Sequence, residues 1–408
     1  MLIALMVSTI TLLYVCALHV QWRRHRRRLA RIPIRIHVNG TRGKSTVTRL
    51  IAAGLRAGGI KTMAKTTGTT PRLILTDGSE RPILRPNGPN IQEQVSTIEV
   101  ACRHGVQAVV LECMAVNPEF QWISEHEMIQ SHIGVITNVR LDHTDLMGAR
   151  LDQIASCLAN TIPRNGVLVT PEAENIGILR ERAERLGTQV IHVDQGAVTD
   201  EDLAGFEDIP FRENVATALE VCRLLDVDRA DALRGMQEAL PDPGVLRISR
   251  CGFDGKQVLF ANALAANDIT STRQIWEGVT SLCTDAQNIL LVCSRRDRPA
   301  RDDDFVKAIR EGWDYDMLIL AGQGTAAVRR RLLAGGVAGS SIVDLGASAP
   351  ASVPGEIVRS LPERSVVLAT GNIVGLGETI ADFFYAGGVH ERVHPDVVAG
   401  VACFPDPV

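Results

Sequence analysis

The sequence predicts an α/β protein with two domains behind one membrane-spanning helix: a larger domain with a mainly parallel sheet and a phosphate-binding loop, then a smaller α/β domain. Three observations predict this. Leu2 to Val20 is apolar, with no acidic or basic side chain except His19, and is followed by Arg23, Arg24, His25 and Arg26 to Arg28. Ile34 to Val38 alternates apolar and polar residues and passes through Asn39-Gly40-Thr41-Arg42-Gly43-Lys44-Ser45-Thr46 into the helix-favouring run Val47 to Leu55. Beyond Pro241-Asp242-Pro243-Gly244, which cannot continue a helix, short apolar strands alternate with helical runs.

The apolar stretch is long enough to cross a bilayer as a helix, and the basic flank behind it favours the cytoplasmic side. A cleaved signal peptide would carry its positive charges ahead of the apolar run, the reverse of the order here. Residues 1–22 are therefore expected to form a single-pass anchor in the cell membrane and residues 23–32 a basic cytoplasmic flank, with the body of the chain cytoplasmic. Across 408 residues the net charge is −4, which gives no general case for binding nucleic acid. Nine cysteines stand without paired C-x-x-C spacing, so neither a zinc site nor a disulfide framework is indicated.

Glycines in the Gly40 to Thr46 stretch let backbone N–H groups close on a phosphate, and the helix that follows points its positive end at the same place. Lys44 adds a point charge, and the hydroxyl of Ser45 or Thr46 can ligate Mg²⁺, so the loop reads as an ATP phosphate cradle. Only five lysines occur in the chain, Lys44, Lys61, Lys65, Lys256 and Lys307, and one is kept in this loop, where a compact ammonium suits phosphates. Lys61 to Arg72 is rich in hydroxyls and glycine and reads as a loop. Gln107 to Leu111 reads as a buried parallel strand with Glu112 at its C-terminal end, where α/β sheets bind ligands, so Glu112 is a candidate Mg²⁺ ligand. A further strand, His132 to Thr137, leads into Asn138-Val139-Arg140-Leu141-Asp142-His143-Thr144-Asp145. Gly166 to Thr170 and Gln189 to Val193 are strands, Ile176 to Leu186 is a helix, and Phe211 begins another. Domain limits follow: 33–243 for the ATP-binding domain, 244–388 for the second domain and 389–408 for a tail.

The short Gly-Thr-Arg-Gly-Lys-Ser-Thr loop resembles that of the Mur ligase superfamily, ATP-dependent enzymes that join an amino acid or peptide to a carboxylate. The Asn138 to Asp145 block resembles the family's Asn-x-x-x-Asp-His-x-Asp, which implies His143 as a metal-site residue, with Asp142 and Asp145 supporting it. The resemblance implies a Mur-ligase-like ATP domain and a Rossmann-like second domain. It makes Gly40, Thr41, Arg42, Gly43, Lys44, Ser45 and Thr46 the ATP-binding loop and Lys44, Glu112 and His143 the catalytic set, with metal ligands Ser45, Glu112 and His143. More distant nucleotide candidates are Asn214, Arg247 and Asp268, each at a position where the family has a nucleotide contact. Many Mur ligases bridge a second Mg²⁺ with a carbamylated lysine downstream of the histidine; here no lysine lies between Lys65 and Lys256.

The phosphate loop follows the apolar segment directly, leaving no room for the leading nucleotide-sugar domain of cell-wall Mur ligases. Together with Leu111-Glu112-Cys113-Met114-Ala115-Val116 and the Thr137 to Gly148 block, this resembles the ligase subunits of bacterial poly-γ-glutamate synthases. Implied are ATP and Mg²⁺ as cofactors, glutamate and a growing poly-γ-glutamate chain as substrates, integral membrane subunits as partners, and ADP as product. The other readings left open are a ligase like folylpolyglutamate synthase and a nucleotide-regulated structural subunit of a membrane export assembly. In the second domain, Asn262 to Asp268, Ser294 to Arg301 and Gly371 to Glu378 stand at strand ends, and the arginines of the middle segment suit carboxylates.

Overall fold

The computed structural model describes residues 2–389 apart from 69–70, 86–87, 207–210, 241–246, 254, 265–268, 282, 284 and 297–298. The expected domain boundary at Pro241 to Gly244, Asp268, and the tail beyond Val389 lie outside the described residues. The rest falls into two compact units, one reaching Leu240 and the other starting at Arg247.

In the first unit, helix α1 runs unbroken from Leu2 to Leu29. The residues expected as a basic flank, Arg23 to Arg28, form the last turns of the same helix. The reason is local, since no glycine or proline occurs before Pro33 and leucine and arginine are both good helix formers. Its apolar part is exposed, and among the described residues α1 is the one helix long and apolar enough to cross a bilayer. Its far end is fastened down. Leu29 and Ile32 are buried beside Met63, Ile98 and Val109. Arg35 donates to the Leu29, Ile32 and Gln130 carbonyls at 2.9, 2.8 and 2.8 Å, and Arg28 pairs with Glu99 at 3.1 Å.

The sheet of this unit has the order β4-β3-β2-β5-β1-β6-β7-β8. Its strands are β1 (Ile34–Asn39), β2 (Thr62–Lys65), β3 (Arg72–Ile74), β4 (Glu80–Pro82), β5 (Ala108–Glu112), β6 (Ile133–Ile136), β7 (Val167–Thr170) and β8 (Gln189–His192). Pairings from β2 through β8 are parallel; β3 and β4 add an antiparallel hairpin at one edge. The central strands are apolar because both faces are covered. Helix α2 (Lys44–Ala57) lays Val47, Leu50, Ile51 and Leu55 on one face, in a core shared with Val215 and Val221. One expectation changes here: Lys61 to Arg72 is not all loop, because Thr62 to Lys65 forms β2, fully buried and parallel to β5. Helix α3 (Gln92–Arg103) lies on the side of the sheet where α1 docks.

The second unit is built on the order β13-β12-β11-β14-β10-β9-β15. The expected alternation of apolar strands with helices is present as β10 (Lys256–Asn262), β11 (Gln287–Ser294), β12 (Met317–Gly322) and β14 (Arg364–Gly371), joined in parallel with β13 (Ile342–Asp344). Not anticipated were β13 and the antiparallel edge strands β9 (Arg247–Phe253) and β15 (Gly388–Val389). Cores lie on both faces, one around Leu290 and Trp276, the other around Phe260, which stacks on Phe384 with centroids 4.2 Å apart.

Candidate active site

β1 ends in the glycine loop, and two positions there admit only glycine. At Gly40, with φ 134°, a Cβ would fall 2.0 Å from Thr137 Oγ1; at Gly43, with φ 79°, it would fall 2.8 Å from Asn214 Oδ1. Asn214 therefore packs on the phosphate loop itself. The loop is held from outside by Asn138, whose Oδ1 accepts from Thr41 Oγ1 at 2.8 Å and from Arg42 N at 3.0 Å, while its Nδ2 donates to Arg42 O at 3.1 Å. Sequence reasoning used Asn138 only to mark the spacing of the His143 block; its position at the end of β6, beside the loop, was the signal that could have singled it out. Lys44 opens α2, and its ammonium donates to the Gly40 and Thr41 carbonyls at 2.8 and 3.2 Å, inside the loop.

Parallel register sets Val38 of β1 opposite Glu112 of β5, which brings the glutamate to the mouth of the loop. Ser45 Oγ and Thr67 N donate to Glu112 Oε2 at 2.9 and 2.7 Å. Of the two hydroxyls offered by the sequence, Ser45 is the one bonded to Glu112. A cavity of about 180 Å³ is lined here by Gly40, Thr41, Lys44, Gly68, Glu112 and His143, among others. His143 sits at φ 45° before the short helix Thr144–Met147, its side chain 56% exposed and its Nε2 3.9 Å from Asp142 Oδ1. Asp142 lines the cavity and pairs with Arg42 at 3.6 Å; exposed Asp145 is not part of the lining.

Among the described residues no three His, Cys, Asp or Glu side chains converge as a metal cage. A hard divalent cation fits nonetheless, because Mg²⁺ keeps several waters and takes only one or two protein oxygens. The hydrogen bonds on the Glu112 carboxylate fall on Oε2, which leaves Oε1, with the Ser45 hydroxyl, as the oxygen donors for it.

Behind the site lies a buried polar layer that sequence reasoning missed. His37 of β1 has Nδ1 2.8 Å from Glu125 Oε2, and Ser131 N and Oγ donate to Glu125 Oε1, each at 2.9 Å. Burial pulls the His37 imidazole down, but the Cys113 and Glu125 side chains beside it outweigh that and hold it up at about 9. Lys65 is fully buried; burial drives its ammonium below the usual lysine range, against the opposing pull of Glu93, 3.1 Å away.

The second unit has its own cavity, about 580 Å³, lined by Ser294, Arg295, Arg296, Asn372, Gly375 and Gly377 among others. It lies at the carboxyl ends of β11 and β14, where the strand order reverses, the usual ligand crevice of an open α/β sheet. Two of the three segments expected at strand ends thus meet in one place. Arg247, also in this unit, lies over the Tyr385 ring, 4.6 Å from its centroid.

Two family models match in sequence: the Mur ligase middle domain over residues 38–216 and the poly-γ-glutamate synthase CapB C-terminal domain over residues 248–387. The chain is 38% identical over 375 residues to PGA synthase CapB of Bacillus subtilis (strain 168), covering 91% of this chain and 95% of that one. The chain belongs to the poly-γ-glutamate synthase CapB family. The capsule biosynthesis protein CapB of Bacillus anthracis is also 38% identical, over 364 residues, 88% of this chain and 78% of that one. Solved structures share the fold at lower identity. E. coli FolC with ADP has a TM-score of 0.63 at 15% identity, covering 90% of this chain and 93% of that one. Folylpolyglutamate synthase from Thermotoga maritima has a TM-score of 0.62 at 15% identity, covering 93% and 98%. Membership makes the chain an ATP-dependent amide ligase of poly-γ-glutamate synthesis, which sets aside the structural-subunit reading.

Proposed function

We propose that this ligase phosphorylates a carboxylate with the terminal phosphoryl group of ATP and passes the acyl group to the amine of glutamate, extending poly-γ-glutamate at the cytoplasmic face of the membrane. The observation that carries the reading is the meeting of a glycine loop, Lys44 and the Ser45–Glu112 pair around one cavity. Phosphoryl transfer needs its developing charge neutralised and its reactants held in line. Backbone N–H groups of Gly40 to Thr46 cradle the phosphates, Asn214 buttresses the loop at Gly43, and Lys44 follows the charge on the transferred group. Glu112, Ser45 and His143 would hold Mg²⁺, which would supply positive charge at the terminal phosphate. Arg295 and Arg296, in the cavity of the second unit, suit a substrate carboxylate. Helix α1 anchors the ligase beside integral membrane subunits of the synthase.

The route of ¹⁸O tests this. Membranes containing the protein are supplied with ATP, Mg²⁺ and glutamate carrying ¹⁸O in its carboxyl groups. One label should enter inorganic phosphate for each amide bond formed, with ADP released. Label in AMP would overturn the mechanism.

A further inference from the structure

Among the described residues Lys65 is one of the large side chains that are fully buried, and nothing in the phosphoryl-transfer scheme uses it. Burying an ammonium is costly unless its charge and its donors are met. Its donors reach Glu93 Oε2 at 3.1 Å, Gln94 Oε1 at 3.4 Å and the Met114 Sδ at 3.7 Å. Gln94 is fully buried too, and its Nε2 donates to the Glu112 carbonyl at 2.9 Å. The ammonium fixes which way this amide points. Lys65 offers donors only, so the Gln94 oxygen must turn to it and the amide hydrogens must turn to Glu112. On the other side, Arg85 grips Glu93 with Nε and Nη2 at 2.8 and 3.0 Å and extends Nη1 to the Thr67 carbonyl at 3.4 Å. The Thr67 N–H donates to the Glu112 carboxylate at 2.7 Å. One buried cation thus organises both ends of Glu112, the main-chain carbonyl through Gln94 and the carboxylate through Glu93, Arg85 and Thr67.

We infer that Gln94, oriented by Lys65, is a positioning residue that sets the Glu112 carboxylate for the divalent cation at the ATP site. The inference rests on Glu112 being a metal ligand as proposed above. Removing the Lys65 charge is a poor test, because it relieves repulsion of a cation while loosening the geometry, two effects of opposite sign. Gln94→Met changes no charge and nearly preserves volume, so it isolates the geometry.

The test is a double-mutant cycle in the full-length protein, with Glu112→Gln as the second variant. The readouts are the Mg²⁺ concentration for half-maximal activity and Mn²⁺ binding to the protein–AMPPNP complex, followed by electron paramagnetic resonance. Gln94→Met should weaken both by about tenfold, the usual cost of losing support behind a metal ligand, and should add nothing further in the Glu112→Gln background. If Glu112→Gln shifts both readouts and Gln94→Met shifts neither, the positioning role is refuted while the metal site stands. If Gln94→Met adds its full effect in the Glu112→Gln background, it acts elsewhere and the inference also fails. If Glu112→Gln shifts neither readout, the metal-ligand reading falls and the inference falls with it. Should Gln94→Met not fold, Gln94→Ala, which leaves room for a water, goes through the same cycle.

Discussion

Asn138→Ala should weaken nucleotide binding far more than it weakens the fold. Its side chain makes three hydrogen bonds to the phosphate loop: two end on the main chain of Arg42, at 3.0 and 3.1 Å, and one on Thr41 Oγ1 at 2.8 Å. The last is replaceable, since Thr41 Oγ1 also accepts from Arg140 N at 2.8 Å and donates to the Asn138 carbonyl at 3.2 Å, which the substitution keeps. Arg42 O keeps the Thr137 hydroxyl at 2.6 Å, so the bond to the Arg42 N–H is the loss that weighs more. At about 1 kcal/mol for each of the two main-chain bonds, the loop loses about 2 kcal/mol of preorganisation. With about 1.4 kcal/mol per tenfold, ATP should bind about 30-fold more weakly. Isothermal titration calorimetry with AMPPNP and Mg²⁺, beside thermal melts without nucleotide, separates the two effects. Affinity within threefold of the parent protein, together with a lowered melting temperature, would show that Asn138 supports the sheet rather than the loop.

Lys44→Ala should abolish turnover with the melting temperature nearly unchanged, because among the described residues its ammonium is bonded only to two carbonyls of its own loop; glutamate-dependent ATP hydrolysis by the purified variant would contradict this. His37, with its folded pKa raised to about 9 from an ordinary 6.5, adds stability that is complete below about pH 6.5 and is lost as pH rises through 9. The span corresponds to about 3 kcal/mol, so urea midpoints should fall from pH 6 to pH 9.5 in the parent protein and fall less in His37→Gln; parallel declines would refute it. Deleting residues 1–22 should release the protein from membranes and leave it folded, whereas deletion through Ile32 also removes the buried Leu29 and Ile32 and two carbonyls held by Arg35. The longer deletion should cost several kcal/mol, at about 2–5 for each large apolar side chain lost; equal melting temperatures for the two truncations would show that the end of α1 is not part of the core.

Which features were legible in advance follows from how far along the chain their causes lie. A strand, a glycine loop and a helix N-terminus are each written in a few neighbouring residues, so the phosphate loop is readable from Ile34 to Leu55, and the end of a buried apolar run marks Glu112 just as locally. Other features depend on partners far along the chain. Ser45 meets Glu112 across 67 positions and Asn138 meets Arg42 across 96, and only the parallel register of β5, β1 and β6 brings them together. The hydroxyls around Lys65 look like a solvent loop until β2 is inserted beside β5, and its charge becomes tolerable only because Glu93 and Gln94 of α3 arrive from nearly thirty residues away. The sequence alone determined the central parallel strands, the phosphate loop with its helix and the chemistry at their ends, since these depend on local spacing and composition, but not the edge strands or β2. Tertiary structure alone decided which hydroxyl serves Glu112, which arginine fastens α1 to the sheet, and which lysine loses its water, because each requires distant side chains to be desolvated together.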